Sequence, residues 1–315
     1  MAGIPKSNQD IRSIKALVVG YGSIGSRHTR LLKELGCSVA VVSRRTIKEE
    51  RCFSDLASAL EEETPGYVVI ANETEEHYHT FSLLAASGFA GKVLVEKPLF
   101  HSVQNPSANK FSLIGIGYHL RFNPLIQRLR QALEGEKIIS THVLTGLYLP
   151  LWRPWQDYRS GYSARKPGGG VLRDISHELD FSLWLLGGWE KVVAAGGHLS
   201  SLDIESDDVF SLLVETPKSP ILSIQLNYLD RASRREVIVN TDKHTIKVDL
   251  IQQSLQIDKE IIEVPCDRDE TFRSQHRAVL AGDIRSLCTL AEGLDLIRFI
   301  DCAERSVREQ RWISK

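Results

Sequence analysis

Charge of either sign is not in excess in this chain: 39 lysines and arginines face 40 aspartates and glutamates among 315 residues, a formal net charge of -1. Interleaved charges of this kind give no electrostatic reason to expect nucleic acid or an anionic membrane as partner. Cysteine is scarce too. The five residues Cys37, Cys52, Cys266, Cys288 and Cys302 are odd in number and far apart, with no C-x-x-C pair and no histidines at metal-finger spacing. That argues against a disulfide framework and a structural metal, and for a reducing compartment. No run approaches the ~20 apolar residues of a membrane span, and polar Met1–Asp10 lacks the apolar centre of a signal peptide. Internal repeats and low-complexity tracts are missing as well. What remains is expected to be a cytoplasmic globular protein with a small-molecule partner and no metal, of a length that suits two domains.

From Lys15 to Gly117 short β-branched runs alternate with longer helical stretches, the pattern of a parallel sheet with crossover helices. Strands are predicted at 16–19, 38–42, 67–70, 93–95 and 113–116, apolar throughout as strands buried on both faces are. Helices are predicted near 24–35, 75–87 and 124–134, with Gly36 and Gly88 at C-cap positions. Beyond about residue 138 strict alternation takes over, as in Leu222, Ile224, Leu226 and Tyr228 against Ser223, Gln225 and Asn227. Ile246–Leu250 alternates likewise, and 208–215 and 261–265 read as further strands, so the second half is an antiparallel sheet with one wet face. A long helix near 282–308 closes the chain. The boundary falls near Gly117–Pro124, giving domains 1–120 and 121–315.

Gly20-Tyr21-Gly22-Ser23-Ile24-Gly25 is a G-x-G-x-x-G turn directly after a strand and at a helix start, the context in which it binds a dinucleotide. Gly20 permits the tight turn, Gly22 lets backbone approach the pyrophosphate, and Gly25 lets helix pack on strand, while the helix N-terminal amides face the anion. An NAD-type site carries a carboxylate about 20 residues later, at the end of the second strand, for the ribose 2′-hydroxyl. Here that place reads Ser43-Arg44-Arg45. A hydroxyl and guanidinium groups bind a 2′-phosphate, so the sequence favours NADP over NAD; the other reading leaves both arginines in a solvated loop.

Two further segments point to chemistry. Glu96-Lys97-Pro98 ends a strand, placing an ammonium at the carboxyl edge of the parallel sheet, where ligands of open α/β sheets bind. Pro98 keeps Lys97 out of helical conformation. Such a lysine can hydrogen-bond a substrate oxygen and share in proton transfer, although Glu-Lys-Pro is also a common surface turn. After Gly168-Gly169-Gly170, a helix would set His177 one turn from both Asp174 and Asp180, an arrangement suited to a general acid/base. The plainer reading is a helix start capped by Asp174. His-x-x-Asp finds no third metal ligand.

In this order the pieces resemble the Gfo/Idh/MocA family, the glucose-fructose oxidoreductase and inositol dehydrogenase group. The matching residues are Gly20–Gly25, Ala71-Asn72-Glu73-Thr74-Glu75-Glu76-His77, Glu96-Lys97-Pro98, Arg121-Phe122-Asn123-Pro124 and Gly168–Asp180, spread over nearly the whole chain. The resemblance implies an N-terminal Rossmann domain with a parallel sheet and a C-terminal α/β domain with a large open, mainly antiparallel sheet that forms dimer or tetramer contacts. It implies a sugar-type substrate oxidised or reduced at a carbinol/ketone carbon. By the family's pattern Lys97 and His177 are the acid/base pair and Asp174 a substrate-binding or supporting residue. Asn72, Thr74 and His77 would lie near the cofactor, Glu96 near the nicotinamide ribose, and Ser23 and Ile24 within the cofactor turn. Two departures stand out. Asp174-Ile175-Ser176-His177 is one residue shorter than the usual Asp-x-x-x-His, and the segment after the third strand lacks its usual proline.

Ahead of the triglycine, Leu151–Tyr162 concentrates Trp152, Arg153, Tyr158, Arg159 and Tyr162, which with Arg121 are candidate substrate contacts. Aromatic faces suit sugar rings and guanidinium groups suit a carboxylate or phosphate, so a sugar acid or nucleotide-sugar is favoured; a packing arm is the alternative. Two other functions stay open. One is a reductase of a non-sugar substrate, as in biliverdin reductase, and the other is a non-catalytic dinucleotide-sensing regulator, against which the retained Lys97 and His177 argue.

Overall fold

The computed structural model describes residues 14–106 and 108–315. The polar stretch Met1–Asp10 lies outside the described residues. The chain divides into two compact units: one runs to Phe122 and takes in Asp267–Leu294, and the other comprises Asn123–Cys266 and Asp295–Lys315.

In the first unit six parallel strands form one sheet. They are β1 (Lys15–Val19), β2 (Ser38–Val42), β3 (Arg51–Phe53), β4 (Tyr67–Ile70), β5 (Lys92–Val95) and β6 (Leu113–Ile116), in the order β3-β2-β1-β4-β5-β6. All five predicted strands are present, within a residue of their expected bounds. Short β3 and helix α2 (Leu56–Glu63) escaped the sequence reading. The reason for β3 is that it has three residues on the sheet edge, none of them fully buried, so it carries no apolar run. Helix α1 (Ser23–Glu34) matches the first predicted helix, and α3 (His77–Ala86) is preceded by a 3-10 turn over Thr74–Glu76 rather than starting at 75. Strand order reverses between β1 and β4, which puts the loops after these two strands side by side at the carboxyl edge of the sheet.

The second unit is built on a nine-stranded sheet. Its strands are β7 (Ile138–Tyr148), β8 (Lys191–Gly197), β9 (Val209–Glu215), β10 (Ile221–Asn227), β11 (Leu229–Thr241), β12 (Thr245–Asp249), β13 (Ser254–Ile257), β14 (Glu260–Glu263) and β15 (Ile313–Ser314). The order is β14-β13-β12-β11-β7-β10-β9-β8-β15. Every pairing is antiparallel except β7 with β10. Alternation holds along most of these strands: Leu222, Ile224 and Leu226 of β10 and Phe210, Leu212 and Val214 of β9 are buried, while Ile221 and Leu213 face out; Asn227, read as a wet-face residue, is instead buried, its Oδ1 accepting from the Leu229 and Asp230 amides. Helix α4 (Pro124–Ala132), helix α5 (Leu149–Trp152) and the consecutive helices α6 (Val171–Asp174) and α7 (Ser176–Leu186) complete this unit's central part.

The chain then returns through α8 (Glu270–Ala281) to the first unit and continues through α9 (Leu290–Glu309) to β15. Val279 and Leu280 of α8 join Val18, Val41, Val69 and Leu94 in one apolar core. The single closing helix expected from 282 is shorter, and the reason is visible. Gly282 sits at φ +75° and ends α8, and Ile116 N–H donates to the Cys288 carbonyl at 2.9 Å, tying the intervening segment to β6.

Candidate active site

Each glycine of the turn after β1 has its own observable reason. Gly20 adopts φ +96°, and a Cβ there would stand 2.6 Å from the Asn72 backbone at the end of β4. At Gly25 a Cβ would meet the Gly20 carbonyl oxygen at 2.0 Å, so helix and turn touch through backbone alone. Gly22, at the N-cap of α1, has φ -84°, and no heavy atom stands within 4 Å of where its Cβ would be. The first turn of α1, with Ser23 and Ile24, has no side-chain cap and no acidic residue. Open space over Gly22 and uncapped amides are the features a pyrophosphate needs, so these residues fit a dinucleotide.

At the end of β2, the Arg45 amide donates to Ser43 Oγ at 3.0 Å. Arg44 and Arg45 are exposed, and the nearest carboxylate to Arg44 is that of Glu73 at 4.0 Å, itself largely exposed. After β4, Asn72 Nδ2 donates to Thr80 Oγ1 at 2.8 Å, and Thr74 is buried in the 3-10 turn. His77 lies between two loops: its Nε2 is 3.2 Å from the Asn72 carbonyl and its Nδ1 3.0 Å from the Pro98 carbonyl. Burial holds its pKa below the usual histidine range, partly opposed by those main-chain hydrogen bonds. The imidazole therefore couples the end of β4 to the Lys97 turn. Lys97 itself is half-buried, and its N–H donates to Glu96 Oε2 at 3.1 Å. The structure thus gathers Gly20–Gly25, Ser43–Arg45, Asn72, Thr74, His77, Glu96 and Lys97 along the strand ends of one sheet.

Arg121 belongs to the same unit. It is 2% exposed, and its guanidinium lies 2.9 Å from Glu292 Oε1, so it pins the turn before α4 to the first turn of α9.

The second unit holds the other candidates. The expected continuous helix around His177 is interrupted: Ile175 sits at φ -98°, ψ +29°, so Asp174 closes α6 while His177 lies in the first turn of α7. The i,i+3 geometry of one helix therefore does not relate Asp174 to His177. Nor does Asp174 cap α7, whose start has no side-chain hydrogen bond. Gly170, at φ +93°, is crowded by the Asp207 carboxyl, which accepts the Leu172 amide at 3.2 Å, so α6 is anchored within its first turn. Asp174 is buried and accepts from the hydroxyls of Tyr228 (3.0 Å) and Ser163. Those two hydroxyl donors fix the orientation of the Asp174 carboxyl group. His177 is likewise 8% exposed.

Trp152, Arg153 and Tyr158 line one cavity with Leu149, Gln156, Gly161 and Ser163. The Arg153 guanidinium stacks 4.7 Å over the Trp152 ring. Arg159 is gripped by Asp157 through Nε (3.0 Å) and Nη2 (2.8 Å), and the Tyr162 hydroxyl donates to the Gly168 carbonyl. Ser163 is the link: it lines this cavity and binds Asp174. Sequence reasoning missed Ser163, Tyr228, Asp207, His28 and His276. His28 left a trace, three residues after Gly25 on the apolar side of α1, and Tyr228 as the last member of the β10 alternation; Asp207 and His276 meet their partners 35 and 248 residues away. Among the described residues no group of three histidine, cysteine or acidic side chains could hold a metal ion, and no helix is long and apolar enough to cross a membrane.

Comparison with known proteins agrees with this geometry. A family model described as an oxidoreductase family with NAD-binding Rossmann fold matches residues 14–110, and one described as the GFO/IDH/MocA C-terminal domain matches residues 126–247. No curated protein sequence matches. Among solved structures, GenD2 from gentamicin A biosynthesis, in complex with NAD, is 20% identical with a TM-score of 0.81 over 100% of this chain and 99% of that one. The WlbA dehydrogenase from Bordetella pertussis, in complex with NADH and UDP-GlcNAcA, is 19% identical with a TM-score of 0.77 over 96% and 98%. Levoglucosan dehydrogenase in complex with NADH is 14% identical with a TM-score of 0.80 over 96% and 98%. Likeness at these identities is likeness of fold.

Proposed function

The chain belongs to the Gfo/Idh/MocA family of nicotinamide-dependent oxidoreductases, and from that premise we propose that it uses NADP(H) to oxidise or reduce a carbinol/ketone carbon of a sugar derivative. The observation that carries this reading is the strand-end row of the first unit, where the open glycine turn and the half-buried Lys97 share one sheet edge. When bound, the nicotinamide cofactor supplies or accepts the hydride. The chain's own residues do the rest. Gly20, Gly22 and Gly25 with the start of α1 hold the pyrophosphate, and Asn72, Thr74 and His77 shape the loop beside it. We assign proton transfer and polarisation of the carbonyl to Lys97 and His177, and a supporting role to the Asp174 carboxylate.

Preference for NADP over NAD rests on Ser43-Arg44-Arg45, three residues without a carboxylate where a 2′-hydroxyl would need one. A sugar acid or nucleotide-sugar is favoured by the Trp152–Arg153 stack and Tyr158 at the second-unit cavity, and UDP-GlcNAcA in the WlbA structure supports that class. The open face of the nine-stranded sheet, with exposed Leu213 and Ile221, is the surface through which we expect dimers or tetramers to form.

The test is a panel of sugars, sugar acids and nucleotide-sugars followed by nicotinamide absorbance, with NADPH and NADH titrated against protein in parallel. Turnover of an anionic sugar that vanishes in Lys97→Ala, with cofactor affinity kept, is the expected result. Full turnover by Lys97→Ala sinks the mechanism, and tighter binding of NADH than NADPH sinks the cofactor assignment. Binding without turnover of any panel member favours the dinucleotide-sensing role instead.

A further inference from the structure

Four side chains of the first unit form a single buried line. Tyr67 Oη lies 2.9 Å from His276 Nδ1, His276 Nε2 lies 2.9 Å from His28 Nδ1, and His28 Nε2 lies 2.9 Å from Glu96 Oε1. Tyr67, His28 and His276 are wholly buried and Glu96 is 6% exposed. The other carboxylate oxygen, Glu96 Oε2, accepts the Lys97 N–H.

The direction of this line follows from its inner end. The Tyr67 hydroxyl is buried beside His276 Nδ1. If that nitrogen carried the proton, the tyrosine O–H would face it as a second donor and lose its acceptor in a dry interior, which folded proteins avoid. Tyr67 therefore donates to His276 Nδ1. A neutral imidazole then carries its proton on Nε2 and donates to His28 Nδ1, and His28 in turn donates from Nε2 to Glu96. Burial and the adjacent His28 hold the His276 pKa well below the usual histidine range, and burial holds the Tyr67 phenol well above its own, so both act as neutral members. The line runs from the core to the strand end and stops at Tyr67, so it orients Glu96 and conducts no proton to solvent.

We infer that Tyr67, His276 and His28 are positioning residues for Lys97: their serial hydrogen bonds fix the Glu96 carboxylate at Oε1, so that Oε2 clamps the Lys97 amide and sets the course on which that residue leaves β5. The inference rests on the reading of Lys97 as the group that acts on the substrate oxygen. It adds to the family's expectation for Glu96, since both of its oxygens already accept from this chain.

Amide hydrogen exchange at Lys97, resolved by NMR, tests the clamp without any substrate. In Tyr67→Phe and His276→Phe, exchange at Lys97 is expected to rise about tenfold, roughly the ~1.4 kcal/mol of one hydrogen bond, while Leu94 and Val95 of β5 keep their protection. His276→Gln, whose amide can accept from Tyr67 and donate to His28, is expected to restore most of it. With a panel substrate, kcat should fall in the two phenylalanine variants while KM for NADPH holds. Unchanged exchange at Lys97 in both phenylalanine variants, or a rise shared equally by Leu94 and Val95, overturns the inference. Raised exchange at Lys97 alone, in a protein that turns over no panel member, keeps the clamp and overturns the functional reading.

Discussion

At the residue scale the glycine turn separates folding from binding. Alanine at Gly25 would drive a methyl group into the Gly20 carbonyl at 2.0 Å, and neither partner is a flexible side chain that can swing away. Its cost should reach or exceed the ~1–3 kcal/mol of ordinary overpacking, seen as a melting temperature several degrees lower. Gly22 differs, because its φ of -84° suits any residue and its Cβ would meet nothing of the protein. Gly22→Ala should therefore melt with the wild type yet bind NADPH about tenfold more weakly, ~1.4 kcal/mol, since the methyl group occupies space a pyrophosphate needs. Fluorescence titration and a thermal melt of both variants read this out. Equal cofactor affinity for Gly22→Ala and wild type would show that the open space above the turn is not where the anion sits.

At the element scale, legibility followed locality. The parallel strands announced themselves because each is a short apolar run closed by a turn, and β10 because its alternation matches a sheet with one wet face. Strand β11 stayed hidden: it begins with the charged stretch Asp230–Glu236, whose register shifts against β7 between Leu229 and Arg234. The break at Ile175 was equally invisible, since no glycine or proline marks it in Val171–Asp180. Arg121 illustrates the same limit. Its sequence context offered it as a substrate contact, while its guanidinium is committed to Glu292, 171 residues on. Burial alone would raise the Glu292 pKa, but Arg121, seconded by the Thr289 amide and hydroxyl, brings it below the usual glutamate range. A depressed carboxylate stabilises the fold above its unfolded pKa and loses that contribution as pH falls through the folded value. Arg121→Met should thus cost about 1–2 kcal/mol at neutral pH, less than the ~3–5 kcal/mol of a fully buried pair because Glu292 keeps contact with water. The gap between variant and wild type should narrow as pH drops below about 4.5. Urea melts at pH 7 and at acid pH measure it, and a gap independent of pH would mean that Arg121 acts through packing alone.

On the scale of the whole molecule, the first unit is made from two stretches of chain, and the return stretch is structural as well as connective. Phe272 of α8 stacks on His119 at 3.8 Å between ring centroids, Thr271 Oγ1 lies 2.8 Å from His119 Nδ1, and the Lys92 ammonium donates to the Leu280 carbonyl. Val279 and Leu280 bury themselves among the strands, and His276 completes the line that ends on Glu96. A chain ending at Phe122 would expose that apolar surface to water and remove His276, the partner of His28 Nδ1 and of the Tyr67 hydroxyl, losing hydrogen bonds worth about 0.5–1.5 kcal/mol each. Residues 14–122 alone should therefore melt without a cooperative transition, bind a hydrophobic dye and fail to hold NADPH. Because His119 touches Thr271 and Phe272, the two stretches can be rejoined briefly. A Gly/Ser linker of about eight residues, with a reach of roughly 15 Å, from Phe122 to Asp267 should suffice in a chain of 14–122 and 267–294. That fused chain should melt cooperatively and bind NADPH, because it holds the glycine turn, the Lys97 turn and both halves of the core. Cooperative melting and NADPH binding by the 14–122 fragment itself would show that α8 rests on a finished domain; recovery only on rejoining shows that the dinucleotide-binding unit needs sequence from both ends of the chain.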